Sequence, residues 1–379
     1  MMILRYIATL IFSTSLQLNS FKTTSVAFYS YKTYNMSNFR PYAGLHANPK
    51  GPGDARPTAM QVLQDEKLVG ALSNLTVLIT GATGGIGAAT AKAIYETGAR
   101  TFITARSLSK GQKLVQEIAG DNKDNRLELI ILDLTSLDSV RSAAESFLAK
   151  SNQLNILINN AGLSTGSHQK DPHGIELQFS TNHLSHFLLF MLLKPTLLAS
   201  ATPALPSRVV SVASVSHRYV PAIHLDDLSL DHTPDTAQTV YGYAHSKLAN
   251  IHFANALERR FGGRGLHAFS LQPGGVATEL FGAWMDEATI AAAYGTGDRA
   301  RFAKSAEQGA ATTVWAAVGK ALEGKGGLYL EDLAVAHEVD APKEEWAQWW
   351  VPGYAPWAYD EAAEERLWKE SARLVGVEE

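Results

Sequence analysis

Cysteine is missing from all 379 residues. Its absence excludes disulfides, thiolate nucleophiles and cysteine-ligated metals, and it fits a reducing compartment. Charge is sparse. Asp, Glu, Lys and Arg make up 18% of the chain against 46% apolar residues, which supplies a large core and argues against wholesale disorder. The formal net charge of −4, with no long basic run and no basic–aromatic interleaving, speaks against nucleic acid as a partner. No His-Glu-x-x-His string occurs among the histidines. His183 and His186 stand three apart on one predicted helix and His168 and His173 lie in a polar loop, so no metal site is expected. Acid is also absent from the beginning: nothing acidic precedes Asp54, while Arg5, Lys22, Lys32, Arg40, Lys50 and Arg56 carry positive charge.

Residues 1–57 therefore form a leader, disordered or targeting. The apolar run Tyr6 to Phe12 is too short and interrupted to span a bilayer, so stable membrane insertion is not expected. A mitochondrial presequence, a signal peptide or anchor, and an unstructured leader with Met36 as a second possible start are all open. The corresponding location is cytoplasmic, or mitochondrial if the leader is a presequence. Asn48 to Pro57 reads as extended chain, and Thr58 is placed to cap a short helix.

From there short apolar runs alternate with helical stretches. Strands are predicted over 74–80, 101–104, 127–132, 154–158, 208–213, 266–271 and 328–330, with helices between them, including long ones over 175–198 and 243–261. This alternation predicts an α/β fold with parallel strands and right-handed crossovers: a doubly wound, three-layer α/β/α Rossmann sheet of about seven strands. No composition break divides it, so 58–333 is one domain and 334–379 a Trp-rich extension packed on it. A (β/α)8 barrel would need more strands.

The first strand ends in Gly81-Ala82-Thr83-Gly84-Gly85-Ile86-Gly87 and runs into a helix. Glycines there permit a tight turn and close approach of a pyrophosphate, and the helix N-terminus offers free N–H groups to it. About 20 residues later an NAD site wants a carboxylate for the ribose hydroxyl, whereas an NADP site wants a cation for the 2′-phosphate. The chain reads Thr104-Ala105-Arg106-Ser107. Arg106 therefore predicts NADP(H) in preference to NAD(H).

Five motifs in order then resemble the short-chain dehydrogenase/reductase family. They are the glycine turn Thr80 to Gly87, Asn159-Asn160-Ala161-Gly162, the strand Val209 to Ser214, Tyr243-Ala244-His245-Ser246-Lys247, and Pro273-Gly274-Gly275-Val276-Ala277-Thr278. Within the family, Arg208 to Arg218 and Ser246-Lys247-Leu248-Ala249-Asn250 resemble the retinol dehydrogenase and WW-domain oxidoreductase branch, as does an insertion over 219–240. No WW domain is recognisable. The resemblance implies a cofactor lying along Gly81, Thr83, Gly84, Gly85, Ile86, Gly87, Arg106, Asp133, Leu134, Asn160, Ala161, Gly162, Tyr243, Lys247, Pro273, Gly274, Val276 and Thr278. It also implies a catalytic set of Asn182, Ser214, Tyr243 and Lys247. Tyr243 exchanges a proton with the reacting oxygen, Lys247 supports it, Ser214 donates to that oxygen, and Asn182 holds a water leading to the lysine. Physical sense agrees: a tyrosine needs a cation nearby to serve as a base, and a lysine four residues along a helix lies on the same face.

The resemblance places the substrate cover over 278–306, with Leu280, Phe281, Trp284, Met285, Ile290 and Tyr294. Such a cover suits a lipophilic small-molecule alcohol, aldehyde or ketone, although the same side chains would also serve as packing on the sheet. His217 is placed equally well to face substrate or to brace a loop. Trp346, Trp349, Trp350, Trp357 and Trp368 in the tail either pin it to its own domain or form an interface. Family members are commonly dimers or tetramers, so a homo-oligomer is an open expectation. Two other readings are carried: an inactive nucleotide-binding regulatory protein of the same fold, and a dehydratase or epimerase of the extended relatives.

Overall fold

The structure, a computed structural model, describes residues 39–120, 125–280 and 286–378. Most of the leader, and Phe281, Trp284 and Met285 of the cover, lie outside the described residues. Eight strands form one sheet: β1 Thr76–Ile79, β2 Arg100–Ala105, β3 Leu127–Ile131, β4 Ile156–Asn159, β5 Ser207–Val212, β6 Leu266–Leu271, β7 Leu328–Glu331 and β8 Ala334–Val335. Their order is β3-β2-β1-β4-β5-β6-β7-β8. All neighbours are parallel except β7 and β8. The eighth strand escaped the sequence because two residues carry no periodicity. It turns back through Asp332 and Leu333, both at positive φ.

Ten helices are used below: α1 Ala59–Asp65, α2 Gly85–Glu96, α3 Leu108–Ala119, α4 Leu137–Leu148, α5 Leu177–Ser200, α6 Asp235–Phe261, α7 Glu287–Tyr294, α8 Gly297–Phe302, α9 Ala306–Val318 and α10 Glu361–Val375. Thr58 caps α1 by accepting from the Gln61 N–H at 3.2 Å. Because successive strand residues face opposite sides, each central strand feeds two cores. Val77, Ile79, Ile156, Ile158, Val210 and Val212 pack toward α1, α2 and α9. Leu78, Leu157 and Val209 pack toward α4, α5, α6 and α10. Burial on both faces explains why these strands read as unbroken apolar runs.

Helix α5 is the one described helix long and apolar enough to cross a membrane, with 61% of its apolar window buried inside the fold. Helix α6 begins at Asp235, ahead of the predicted start at Tyr243. Pro234 precedes it and Asp235 supplies an acid in the first turn, a start signal that the insertion had obscured. The cofactor cleft thus borders on two extra turns of helix built from the insertion.

Two peripheral segments lie on this frame. Arg56 donates to the Phe302 carbonyl at 2.8 Å and the Ala303 carbonyl at 2.5 Å, and pairs with Asp54 at 2.8 Å. Gln308 binds the Asp54 and Arg56 carbonyls at 3.3 Å and 3.0 Å. Residues 51–56, expected within a leader, therefore hold the trailing end of the cover. At the other terminus, α10 lies across α5 and α6. Trp368 is 3% exposed, edge-on to Phe187 at 5.0 Å and to Phe190 at 6.3 Å, parallel to Phe253 at 6.1 Å, and under the Arg260 guanidinium at 4.5 Å. Trp368→Ala should cost about 3–5 kcal/mol of stability, the range for deleting a buried large aromatic. Urea unfolding monitored by circular dichroism measures it; a loss under about 1 kcal/mol would show that α10 is not part of the cooperative core.

Candidate active site

Strand order reverses between β1 and β4, whose following helices leave on opposite faces of the sheet. That divergence opens a crevice at the carboxyl ends of the strands. A cleft of about 550 Å³ lies there. Its walls include every residue assigned above to the cofactor: Gly81, Thr83, Gly84, Gly85, Ile86, Gly87, Arg106, Asp133, Leu134, Asn160, Ala161, Gly162, Tyr243, Lys247, Pro273, Gly274, Val276 and Thr278.

Several features of this cleft fit a dinucleotide. Helices α3 and α4 are capped by the side chains of Ser107 and Ser136. Gly84, ahead of α2, offers no side chain to its first N–H groups, leaving donors at the positive end of the helix dipole. Gly81 sits at φ 65°, and a Cβ there would stand 2.7 Å from the Cα of Ala161, so only glycine lets the turn pass so close to the β4 loop. Arg106 is exposed on the rim, with neither a hydrogen bond nor an ion pair among the described residues. Asp133 is turned toward its own loop, accepting from the Thr135 N–H at 3.0 Å and hydroxyl at 2.8 Å.

Beneath the cleft runs a buried hydrogen-bond chain. Thr80 Oγ1 accepts from the N–H groups of Asn160 and Ala161, each at 3.0 Å, and lies 2.9 Å from His186 Nε2. His186 Nδ1 lies 2.9 Å from the Asn182 carbonyl. A carbonyl only accepts, so Nδ1 carries the proton and Nε2 accepts from the Thr80 hydroxyl. Burial lowers the His186 pKa to about 4, which keeps the ring neutral and this tautomer fixed. Asn182 itself accepts from the Leu163 N–H at 2.6 Å and donates to the Leu163 carbonyl and Ser246 hydroxyl, both at 3.0 Å. Ser246 donates to the Tyr243 carbonyl at 2.7 Å.

The structure brings Ser214, Tyr243 and Lys247 together on the cleft wall and places Asn182 behind it. Lys247 Nζ lies 5.5 Å from the centre of the Tyr243 ring and donates to the Val212 carbonyl at 3.0 Å. Gly162 separates Lys247 from Asn182: a Cβ there would be 3.4 Å from Nζ and 3.8 Å from Asn182 Oδ1. Burial raises the Tyr243 pKa above its ordinary value, against a smaller lowering from the Ser214 hydroxyl. Burial alone lowers Lys247 to about 8. At neutral pH the cluster therefore holds a protonated phenol beside an ammonium, with the Ser214 hydroxyl on the same wall of the cleft. Among the described residues no group of three or more His, Asp or Glu side chains is placed to hold a metal ion.

Three aromatic walls complete the cleft: Tyr294 of the cover, Tyr219 of the insertion and Trp349 of the C-terminal extension. The last two had no signal in the sequence, since nothing local links a tail tryptophan to a turn at the end of β6. His217 explains how the tail arrives. Its Nδ1–H donates to the Ser214 carbonyl at 2.7 Å, its Nε2 accepts from the Ala355 N–H at 3.1 Å, and its carbonyl accepts from the Trp357 indole at 2.9 Å. The side chain braces a loop and does not line the cleft.

Comparison with known proteins agrees with this geometry. The family model for short chain dehydrogenase matches residues 75–224. The short-chain dehydrogenase/reductase prx1 of Penicillium rubens is 41% identical over 339 residues, covering 89% of this chain and 96% of that protein. Human retinol dehydrogenase 12 is 35% identical over 306 residues, covering 81% and 88%. A protein of solved structure from Mycobacterium paratuberculosis superposes with a TM-score of 0.59 at 28% identity, covering 82% and 96%.

His217 Nε2 is the acceptor of the buried Ala355 N–H, whereas the Ser214 carbonyl also accepts from the backbone N–H of His217 at 3.2 Å. His217→Leu should therefore cost about 1–3 kcal/mol, the desolvation penalty of the one group left unpaired. Denaturant unfolding tests this. A loss below about 1 kcal/mol would mean that the tail and the Ser214 turn do not depend on this ring.

Proposed function

The chain belongs to the short-chain dehydrogenase/reductase family and is an NAD(P)-dependent oxidoreductase; within that frame, we propose that it uses NADP(H) to interconvert a lipophilic alcohol with its aldehyde or ketone, working toward the alcohol. The observation that carries this reading is the convergence of Ser214, Tyr243 and Lys247 on the wall of a cleft whose far rim bears Arg106.

The residues of the cleft divide the work. The uncapped N-terminus of α2 and the glycine turn take the pyrophosphate, and Arg106, without another partner among the described residues, takes the 2′-phosphate. Asn160 and Ala161, held by the Thr80 hydroxyl, form with Gly162 the floor beside the reacting end, with Pro273, Gly274, Val276 and Thr278 opposite. When bound, the nicotinamide supplies the hydride. Ser214 donates a hydrogen bond to the substrate oxygen, where negative charge grows. Tyr243 delivers its proton to the same oxygen. Lys247 stabilises the phenolate left behind, and its ammonium also holds ribose hydroxyls. Asn182 acts at one remove, positioning the Leu163 backbone and the turn that carries Tyr243.

Reduction needs a proton donor at the reacting oxygen, and the site meets that need: with the phenol raised and the lysine near 8, Tyr243 holds its proton at neutral pH beside a cation. The lipophilic substrate class follows from the cover and the aromatic walls. Arg106, Asp133, Lys247 and Glu279 are the charged side chains lining the cleft. Tyr219, Tyr294, Trp349 and Leu280 line it as well.

Tyr243→Phe should lower kcat for reduction by on the order of 10²–10⁴-fold, the usual contribution of a positioned acid, with NADPH affinity retained; full activity would remove Tyr243 from the mechanism. For the wild type, kcat/KM at limiting NADPH should fall as pH rises through about 8, because the ammonium present below that value is lost above it. A rate that rises through the same range would contradict the role given to Lys247. Binding of the two cofactors tests Arg106. NADPH should bind roughly 10–100-fold more tightly than NADH, a difference of about 1.4–2.8 kcal/mol, and Arg106→Ala should abolish most of it while sparing NADH. Equal weakening of both would make Arg106 structural.

A further inference from the structure

The C-terminal extension reaches the cleft through a segment fixed from both sides. Arg218, itself buried, donates to the Val351 carbonyl at 2.9 Å and to the Gly353 carbonyl. Glu331, at the end of β7, accepts the Gly353 N–H at 2.5 Å and the Gln272 amide at 3.0 Å. Tyr219 donates its hydroxyl to the Ala347 carbonyl at 3.0 Å. Between these anchors Trp349 projects into the wall of the cleft.

Its surroundings hold the indole in one orientation. One edge of its six-membered ring lies where a Cβ on Gly275 would be, so glycine in the Pro-Gly turn makes room for it. Trp350 stands edge-on to it at 5.4 Å and in turn stacks on Phe302 at 6.1 Å. On its other side the Tyr294 ring lies 5.9 Å away at 40°. Tyr219 and Tyr294 both lie near enough to Tyr243 to influence its proton. Tyr219 has spent its hydroxyl on Ala347, so its contribution to the cleft is its ring.

We infer that Trp349 is a specificity-determining residue, and that it selects substrates whose reacting carbonyl is joined to a flat, unsaturated ring system over chains of similar lipophilicity. The inference rests on the carbonyl-reducing reading above. A wall of three aromatic rings, with Arg218 and Arg299 near its tyrosines, offers offset and edge-on contacts to a planar group, which a flexible alkyl chain fills by burial alone. Prefixing the indole means that no ordering is needed when substrate arrives.

The test uses the full chain with NADPH, and 2-naphthaldehyde against octanal. In Trp349→Ala the ratio of kcat/KM for naphthaldehyde to that for octanal should fall about tenfold, the size expected from losing aromatic contacts of this kind. Trp349→Phe should keep that ratio within about threefold, since an aromatic face remains. A second readout needs no turnover: 2-naphthylmethanol titrated calorimetrically into the NADPH complex should bind about tenfold more weakly to Trp349→Ala, with NADPH affinity itself retained. An unchanged ratio, or a parallel loss of NADPH affinity, would overturn the inference and leave carbonyl reduction standing. If the wild type binds NADPH but reduces neither aldehyde, the proposed reaction fails, and the inference with it.

Discussion

The Thr80 hydroxyl is the point on which the site depends. It lies just past the end of β1, below the glycine turn, and has four polar neighbours in a buried space. Two are backbone N–H groups of Asn160 and Ala161, one is the Ile158 carbonyl at 3.4 Å, and one is the unprotonated nitrogen of His186 at 2.9 Å. The two N–H groups fill the acceptor positions of the hydroxyl, and its proton goes to the nearer acceptor, His186. The Asn182 carbonyl, which only accepts, fixes the His186 tautomer with the proton on Nδ1. Asn182 then spans Leu163 and Ser246, and Ser246 holds the turn carrying Tyr243. Buried chains of this kind are rigid because an unpaired member costs about as much as a typical hydrogen bond contributes, or more. The glycine turn, the β4 loop and helix α6 are thereby set relative to one another before any ligand binds.

A second chain starts at the Ser214 carbonyl and runs through His217 into the tail. It has the same logic: a neutral buried imidazole with one donor and one acceptor, its pKa lowered to about 3 by burial. Through it the strand end bearing Ser214 is joined to the segment that delivers Trp349. Helix α10 is anchored further on by Trp368 and by the pairing of Glu364 with Arg259 and Asn255. The extension is therefore continuous with the turn that bears Ser214, and changes in it are expected to reach the cleft.

How much of this was legible in the sequence depended on distance along the chain. The glycine turn, Asn160-Ala161-Gly162, and Tyr243 with Lys247 could be brought to one cleft because they follow one another in the order of the family's motifs; the Tyr-x-x-x-Lys spacing alone carries little. Arg106 could be placed on the rim of the same cleft because a fixed offset separates it from the turn. The buried strands were readable from their apolar runs. Helix α6 was read too short because its first turns arise from an insertion with little apolar periodicity. The two-residue β8 was too short for any pattern. His217 could not be assigned, since a histidine after a strand says nothing of the Ala355 N–H it meets. Trp349 was recognised only as one of several tail tryptophans. Its place in the cleft follows from the absence of a side chain at Gly275 and from the anchors at Arg218 and Glu331, all remote in sequence.

The central claim is that this cleft passes a hydride from the nicotinamide to a substrate carbon while the protein supplies the proton. It is tested most directly by isotope transfer. NADPH deuterated at both C4 positions should place one deuterium on the carbinol carbon of the alcohol formed from 2-naphthaldehyde in ordinary water. In deuterated water with unlabelled NADPH, that carbon should carry none. A carbinol carbon that takes its hydrogen from solvent, or an alcohol formed without consuming the reduced cofactor, would contradict the account.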